Sequence, residues 1–156
     1  LARELEVSRR EAQEFIDYYF ACYPGVQRYF DILRGDIEQK GFVSTLFGRR
    51  RYAQDLDTEG RDAGYAERSL INAPIQGTAA EIIKLSMIQL NERLAAVSEQ
   101  AKIVLQVHDE LIIECDEACA DNIAGVVVEE MQRAVKLEVP LSVSVHVGRH
   151  WGQEVS

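Results

Sequence analysis

An apolar β pattern interrupted by three consecutive polar residues constrains this chain more than any other stretch. Ile, Val and Leu dominate residues 103–107 and 111–113, on either side of His108-Asp109-Glu110. Because β-branched residues favour strands, the simplest geometry is two antiparallel strands joined by a tight turn at His108-Asp109. The turn would present two adjacent carboxylates, which suit a divalent cation that prefers oxygen ligands. Taken alone, the stretch is explained more simply by a solvated, charged hairpin tip.

The length and composition predict one soluble domain with a real core. The chain has 156 residues, of which 47% are hydrophobic, and it contains no apolar run of about 18 residues that would predict a membrane helix. It begins with Leu1 on helix-like sequence and shows no signal peptide. We therefore expect an excised piece of a longer protein, with boundaries that are artificial.

The cysteines indicate a reducing compartment. Cys22, Cys115 and Cys119 are odd in number and form no Cys-x-x-Cys pair. Neither a disulfide framework nor a thiolate zinc site is predicted from this spacing. The cytoplasm fits this usage.

The acidic charge argues against a stand-alone, non-specific nucleic-acid binder. The net charge is −9, whereas such proteins carry a basic face that replaces counterions on the phosphates. The charge is uneven, with a net −2 over residues 1–80 and −7 over residues 81–156. Contacts to a polyanion are therefore expected in the first half, and the carboxylate turn lies in the acidic second half.

The apolar periodicity predicts an α+β fold, in which an antiparallel sheet packs against several amphipathic helices. Helical spacing follows a capping box at Ser8-Arg9-Arg10-Glu11. An aromatic stripe is expected to pack between the first two helices rather than to stack on nucleic-acid bases, and it comprises Tyr18, Tyr19, Phe20, Tyr23, Tyr29 and Phe30. A polar loop is expected around residues 55–64. The predicted elements are helices over 9–22, 26–40, 66–94 and 118–135, hairpins over 42–52 and 103–114, and a strand over 141–147.

Two groups of polar residues stand out by their spacing. Arg49, Arg50 and Arg51 follow Gly48 in a predicted hairpin, where they form either a solvated surface or a phosphate clamp. Elsewhere, Asn72-Ala73-Pro74 interrupts a helical stretch, so a kink or break is expected there. Arg68, Asn72 and Gln76 are spaced to share one face of a helix that continues through this point. Alternatively, Asn72 caps a new helix that begins at Pro74.

Three segments, in matching order and spacing, resemble the family A DNA polymerases. Residues 67–84 are similar to the family's E-R-x-x-x-N-x-P-x-Q-G-T-A-A-D segment, with Glu81 in place of the final aspartate. Residues 106–111, Gln-Val-His-Asp-Glu-Leu, resemble its motif C, and residues 45–51 resemble its T-x-x-G-R-R segment. The similarity extends over essentially the whole chain, and the ordered set is highly specific.

The resemblance implies template-directed nucleotidyl transfer to a primer 3′-hydroxyl, with two Mg²⁺ ions roughly 3.5–4 Å apart. Asp109 matches the catalytic metal carboxylate of motif C, and Glu110 matches its less essential acidic neighbour. His108 matches a residue near the primer terminus. Further DNA contacts are expected along the primer-template duplex, where minor-groove acceptors shared by all base pairs would be read by Arg68, Asn72 and Gln76. Contacts with DNA are also expected from Arg49, Arg50 and Arg51.

The family's motif A aspartate and its nucleotide-binding fingers helix do not occur in this sequence. Both are expected upstream of Leu1, so the isolated chain should be inactive, without tightly bound Mg²⁺. By the same resemblance, residues 1–65 correspond to the fingers side and residues 66–156 to the palm. The implied partners are primer-template DNA, dNTPs and the upstream part of the same polypeptide, in DNA replication or repair in a bacterial or phage-infected cytoplasm.

Two other functions compete with this interpretation. A non-catalytic DNA-binding or replisome-interaction module would keep the palm fold without chemistry, but the Asp109-Glu110 pair and the acidic charge argue against it. A metal-dependent nuclease or phosphohydrolase would use the same carboxylates. It would need a further cluster of Asp, Glu and His at ligand spacing, which the sequence does not offer.

Overall fold

The structure is a computed structural model that describes residues 2–3, 5–55 and 63–153. Its helices and antiparallel strands confirm the predicted α+β class, and the chain divides into two compact units, Leu1–Ile75 and Gln76–Ser156. The elements are α1 (Arg9–Cys22), α2 (Pro24–Lys40), β1 (Phe42–Ser44), β2 (Arg50–Tyr52), α3 (Ala63–Val97), β3 (Lys102–Val107), β4 (Glu110–Glu114) and α4 (Ala120–Arg133), with 3-10 helices at Ala53–Asp55 and Glu117–Cys119.

Local sequence signals place the first two helices. Ser8 Oγ accepts a hydrogen bond from the Glu11 amide at 3.2 Å, and the Glu11 carboxylate accepts one from the Ser8 amide at 2.9 Å, which confirms the predicted capping box. The Ser8 hydroxyl and the Ser8 amide both hydrogen-bond to the Glu11 carboxylate, and because they favour its ionised form they lower the pKa of Glu11. Gly41 ends α2 with φ 74°, a left-handed conformation that glycine adopts without strain.

The core of the first unit joins α2, β1 and the beginning of α3. Its buried side chains are Leu33, Val43, Leu70 and Ile71. At the surface, Arg34 donates to Glu67 at 2.8 Å and to Asp31 at 3.0 Å. The hydrogen bond to Glu67 is the main reason that the pKa of Arg34 is raised.

The predicted packing of the aromatic stripe is only partly correct. The rings of Phe20 and Phe30 contact each other across α1 and α2, with centroids 6.1 Å apart. Tyr18 and Tyr23, in contrast, are 71% and 58% exposed. The only buried residue of α1 is Ala12, so α1 has a narrow buried strip and leaves these tyrosines in solvent.

The core of the second unit holds the β3–β4 hairpin in place. Leu90 and Leu94 of α3 pack with Ile123 and Val127 of α4, and Leu90 is fully buried. The hairpin contributes Ile103, Leu111 and Ile113 to this cluster. Because one face of the hairpin is anchored, the register of its strands is fixed up to the turn.

The break expected before Pro74 does not occur. The helix α3 runs without interruption from Ala63 to Val97, so the alternative in which Asn72 caps a new helix is wrong. A proline removes one backbone hydrogen bond from a helix. Buried side chains hold α3 on either side of the proline, Leu70 and Ile71 before it and Ile83 and Leu90 after it, and such packing supplies most of a helix's stability.

The strand predicted at residues 141–147 is also wrong, since no strand is assigned there. Its alternation suits a strand, but a strand needs a hydrogen-bonded partner, and none of the described strands pairs with it. Val145 and Val147 are accordingly 37% and 44% exposed.

Residues 56–62, which make up most of the loop predicted at 55–64, lie outside the described residues. Among the helices that are described, none has the length and apolar character needed to cross a membrane.

Candidate metal and nucleic-acid site

The β3–β4 hairpin presents the predicted carboxylates at its tip. Val107 pairs with Glu110, so His108 and Asp109 form a two-residue turn, as the sequence predicts. A register shift between Ile103 and Leu105 marks a bulge in β3. A two-residue turn leaves little freedom for the backbone of Asp109, because the paired residues on each side are held by the ladder.

The turn is strained at His108, and Gln106 supports it. His108 has φ 54°, a left-handed conformation that is uncommon for a residue other than glycine. The side-chain amide of Gln106 donates to the main-chain oxygen of His108 at 3.0 Å. Sequence reasoning missed Gln106, because this bond depends on the conformation of the turn; the available signal was an amide side chain two residues before it.

The tip can offer Mg²⁺ the right kind of ligand but an incomplete set. His108, Asp109 and Glu110 are all exposed, and carboxylate oxygens are the ligands that Mg²⁺ takes in proteins. Within the described part of the chain, no three His, Cys, Asp or Glu side chains come together as a metal-binding group. Asp109 and Glu110 thus offer suitable oxygen ligands, but among the described residues they do not form a complete Mg²⁺ site.

The arginine hairpin in the first unit presents basic side chains on a short, ordered scaffold. The loop closes with a Gly48 amide to Thr45 carbonyl bond of 3.0 Å and a Thr45 amide to Arg49 carbonyl bond of 2.9 Å. Arg50 and Arg51 lie in β2, whose residues are all exposed. The Arg50 guanidinium stacks over the ring of Phe42, 4.4 Å from its centroid. The stacking orients one guanidinium without neutralising it.

The remaining predicted DNA contacts lie on α3. Arg68 and Asn72 are four residues apart in the first unit and exposed, and Gln76, also exposed, begins the second unit four residues later on the same helix. A Cβ atom built on Gly64 would lie 3.4 Å from Nη1 of Arg68, so the guanidinium extends back over this glycine. The structure thus groups His108 with Asp109 and Glu110, Arg49 with Arg50 and Arg51, and Arg68 with Asn72.

Replacing Gln106 with leucine should loosen the turn. The change removes the donor to the His108 oxygen, and a net hydrogen bond of this kind contributes about 0.5–1.5 kcal/mol. We expect amide exchange of Glu110 to rise by roughly twofold to thirteenfold, the equivalent of that energy. Gln132→Leu, an exposed glutamine in α4, is the matched control. Unchanged exchange at Glu110 in Gln106→Leu would show that the amide does not support the turn.

The family model and the relatives that match this chain indicate the same protein family. The model of DNA polymerase family A matches residues 1–153. DNA polymerase I of Bacillus caldotenax is 47% identical over 152 residues, and that of Pseudomonas aeruginosa is 42% identical over 154 residues. These alignments include 97% and 98% of this chain but 17% of each relative, so the chain spans about one sixth of the proteins it matches.

A solved structure shares the fold. It is the POL domain of Pol1 from M. smegmatis in complex with DNA primer-template and dNTP, which is 41% identical and superposes with a TM-score of 0.88. The likeness covers 97% of this chain and 27% of that one. On the match of the family model over nearly its whole length, this chain belongs to DNA polymerase family A.

Proposed function

We propose that this chain is part of a DNA-directed DNA polymerase and supplies one side of its two-metal site. The observation that carries the proposal is the Asp109-Glu110 pair, displayed in solvent at a two-residue turn whose strands are anchored in a buried core. Family membership and the relatives named DNA polymerase I support it. So does the structural neighbour, whose DNA primer-template and dNTP are the substrates we infer here.

In this proposal Asp109 and Glu110 hold magnesium at the hairpin tip, with Asp109 as the principal ligand. Magnesium held by these two carboxylates would supply activation of the primer 3′-hydroxyl and neutralisation of charge on the triphosphate and its leaving group. The contribution of the chain itself is positional. The β-ladder fixes the backbone on both sides of the turn, and the Gln106 bond to His108 supports the residue directly before Asp109. The remaining carboxylate ligand comes from a motif A segment outside this sequence.

The DNA contacts follow from the donors on the two units. Arg49, Arg50 and Arg51 present guanidinium groups that can bind backbone phosphates, which position the duplex without reading its sequence. Arg68, Asn72, Gln76 and His108 carry donors suited to minor-groove acceptors, which occupy nearly the same place in every correct base pair. We infer that residues 1–65 belong to the fingers side and residues 66–156 to the palm. The enzyme acts in the bacterial cytoplasm, where DNA and dNTPs are present.

The isolated 156-residue chain should not extend a primer, because it carries only part of the metal site. The measurement is incorporation of labelled dNTP on a primer-template with Mg²⁺, using the chain at high concentration and a polymerase that contains the same segment as the positive control. Template-directed incorporation by the chain alone would contradict the division of the site between segments.

Removing a minor-groove donor should affect mismatched primer ends more than matched ones. In the longer polymerase, we expect Gln76→Ala or Arg68→Ala to change the ratio of mismatched to matched extension by roughly tenfold, the value of one hydrogen bond of about 1.4 kcal/mol. Single-turnover extension of paired primers measures the ratio. Gln132→Ala, which removes an exposed glutamine of α4, is the control. An unchanged ratio together with unchanged DNA affinity would assign both residues to the protein surface alone.

A further inference from the structure

Two cysteines lie together at the far end of the strand that carries Glu110. Cys115 follows the last residue of β4, and Cys119 ends the 3-10 helix Glu117–Cys119. Both are half-buried, and both pack against the same core cluster around Leu90 and Ile123. Neither belongs to the motifs that carry the proposed polymerase function, so their proximity has no part in that chemistry.

The backbone brings the two side chains to the same place. Asp116 has an extended conformation at the start of the 3-10 helix, and the Cys119 amide donates to its carbonyl oxygen at 3.0 Å. This turn folds Cys119 back toward Cys115. A hydrophobic staple similarly brings together two side chains that lie on either side of a helix start. The Cys119 thiol also donates to the Asp116 oxygen at 3.2 Å, and Cys115 and Cys119 pack against the same cluster of buried side chains.

We propose that Cys115 and Cys119 form a reversible dithiol–disulfide site whose oxidant is a low-molecular-weight disulfide of the glutathione type. Thiol–disulfide exchange proceeds through a mixed disulfide. One protein thiolate attacks a sulfur of glutathione disulfide and releases one glutathione thiolate. The second protein thiol then loses its proton and attacks the first protein sulfur, which releases the second glutathione. Two protein thiols and one glutathione disulfide thus give one protein disulfide and two glutathione thiols.

The environment suggests the order of the two steps. Burial raises the pKa of the Cys115 thiol, and the adjacent Cys119 thiol raises it further. A raised pKa lowers the fraction of thiolate at neutral pH and so slows attack on an external disulfide. We therefore assign the first attack to Cys119, and the second to Cys115, whose reaction is intramolecular.

The test uses the chain with Cys22→Ser, which removes the exposed third cysteine. The folded protein is equilibrated with glutathione buffers of increasing oxidised fraction, quenched in acid, alkylated and weighed. We expect the intact mass to fall by two hydrogen atoms, with no alkylation of either cysteine. Cleavage after Glu117, which lies between the cysteines, should leave two peptides joined through sulfur. Added to Cys22→Ser, Cys115→Ser should instead accumulate a glutathione adduct at Cys119.

A second measurement tests whether the fold favours the disulfide, beyond the effect of the short sequence separation between Cys115 and Cys119. The same equilibration in concentrated urea gives the ratio of bridged protein to mixed disulfide for the unfolded chain. The folded chain should favour the bridge at least about tenfold more, because its backbone holds the thiols together. Separate adducts on both cysteines, two persistently reduced thiols, or an equal ratio in urea would each overturn the proposal. None of these readouts depends on polymerase activity, so the two proposals fail independently.

Discussion

Replacing Asp109 with asparagine in a polymerase that contains this segment should reduce the rate of nucleotide addition by roughly a thousandfold or more, since metal stabilisation of the reacting oxygens supplies several kcal/mol. Asparagine keeps the size of the side chain and removes the charge that a hard cation requires. Affinity for primer-template should change little, because the DNA is held mainly through phosphates, away from the carboxylate.

The measurement is single-turnover incorporation over a range of Mg²⁺ concentrations, with DNA affinity determined separately. Asp116→Asn is the matched control, because Asp116 is an exposed aspartate of the same unit and lies outside the proposed site. Glu110→Gln should have a smaller effect than Asp109→Asn. Normal turnover in Asp109→Asn would remove the metal role of Asp109.

A second large effect is expected in the core beneath the hairpin. Leu90→Ala should lower the free energy of unfolding of the second unit by about 2–5 kcal/mol, the usual cost of a cavity at a fully buried leucine. Ile88→Ala is the matched control, since Ile88 is 61% exposed on the same helix and its truncation should cost less than about 0.5 kcal/mol.

Urea denaturation with amide exchange at Ile123 reports on this core directly. The turn should respond as well, because Ile103, Leu111 and Ile113 of the hairpin pack against the same cluster. We expect faster exchange at Glu110 in Leu90→Ala than in Ile88→Ala. Equal unfolding free energies for the two variants would show that Leu90 does not anchor the unit.

Much of this fold was predictable because its signals are local. The capping box at Ser8, the end of the second helix at residue 40 and the apolar runs around His108-Asp109 each depend on neighbouring residues, and the structure confirms all three. The strand at 141–147 was not predictable in the same way, because alternation shows only that a segment can pair. Whether it does pair depends on a partner that is distant in sequence.

The same distinction between local and non-local signals applies to the candidate site. The carboxylates of Asp109 and Glu110 suit a hard cation, but taken alone they also fit a solvated turn, and the metal role and the reaction were expected only from the resemblance of their motif. The support from Gln106 requires the turn conformation, and the continuity of α3 through Pro74 requires buried side chains on both sides of the proline. Packing and backbone conformation thus determine these two features, which the local sequence pattern does not predict.

The most direct test of the central claim is to locate the metal. In a polymerase that contains this segment, Fe²⁺ replaces Mg²⁺ in the presence of primer-template and a dNTP, and hydroxyl radicals produced at the ion cut the nearby backbone. The proposal predicts cleavage within residues 107–111 that is lost in Asp109→Asn and retained in Asp116→Asn. An active enzyme with no cleavage there, or with the same cleavage in Asp109→Asn, would contradict it.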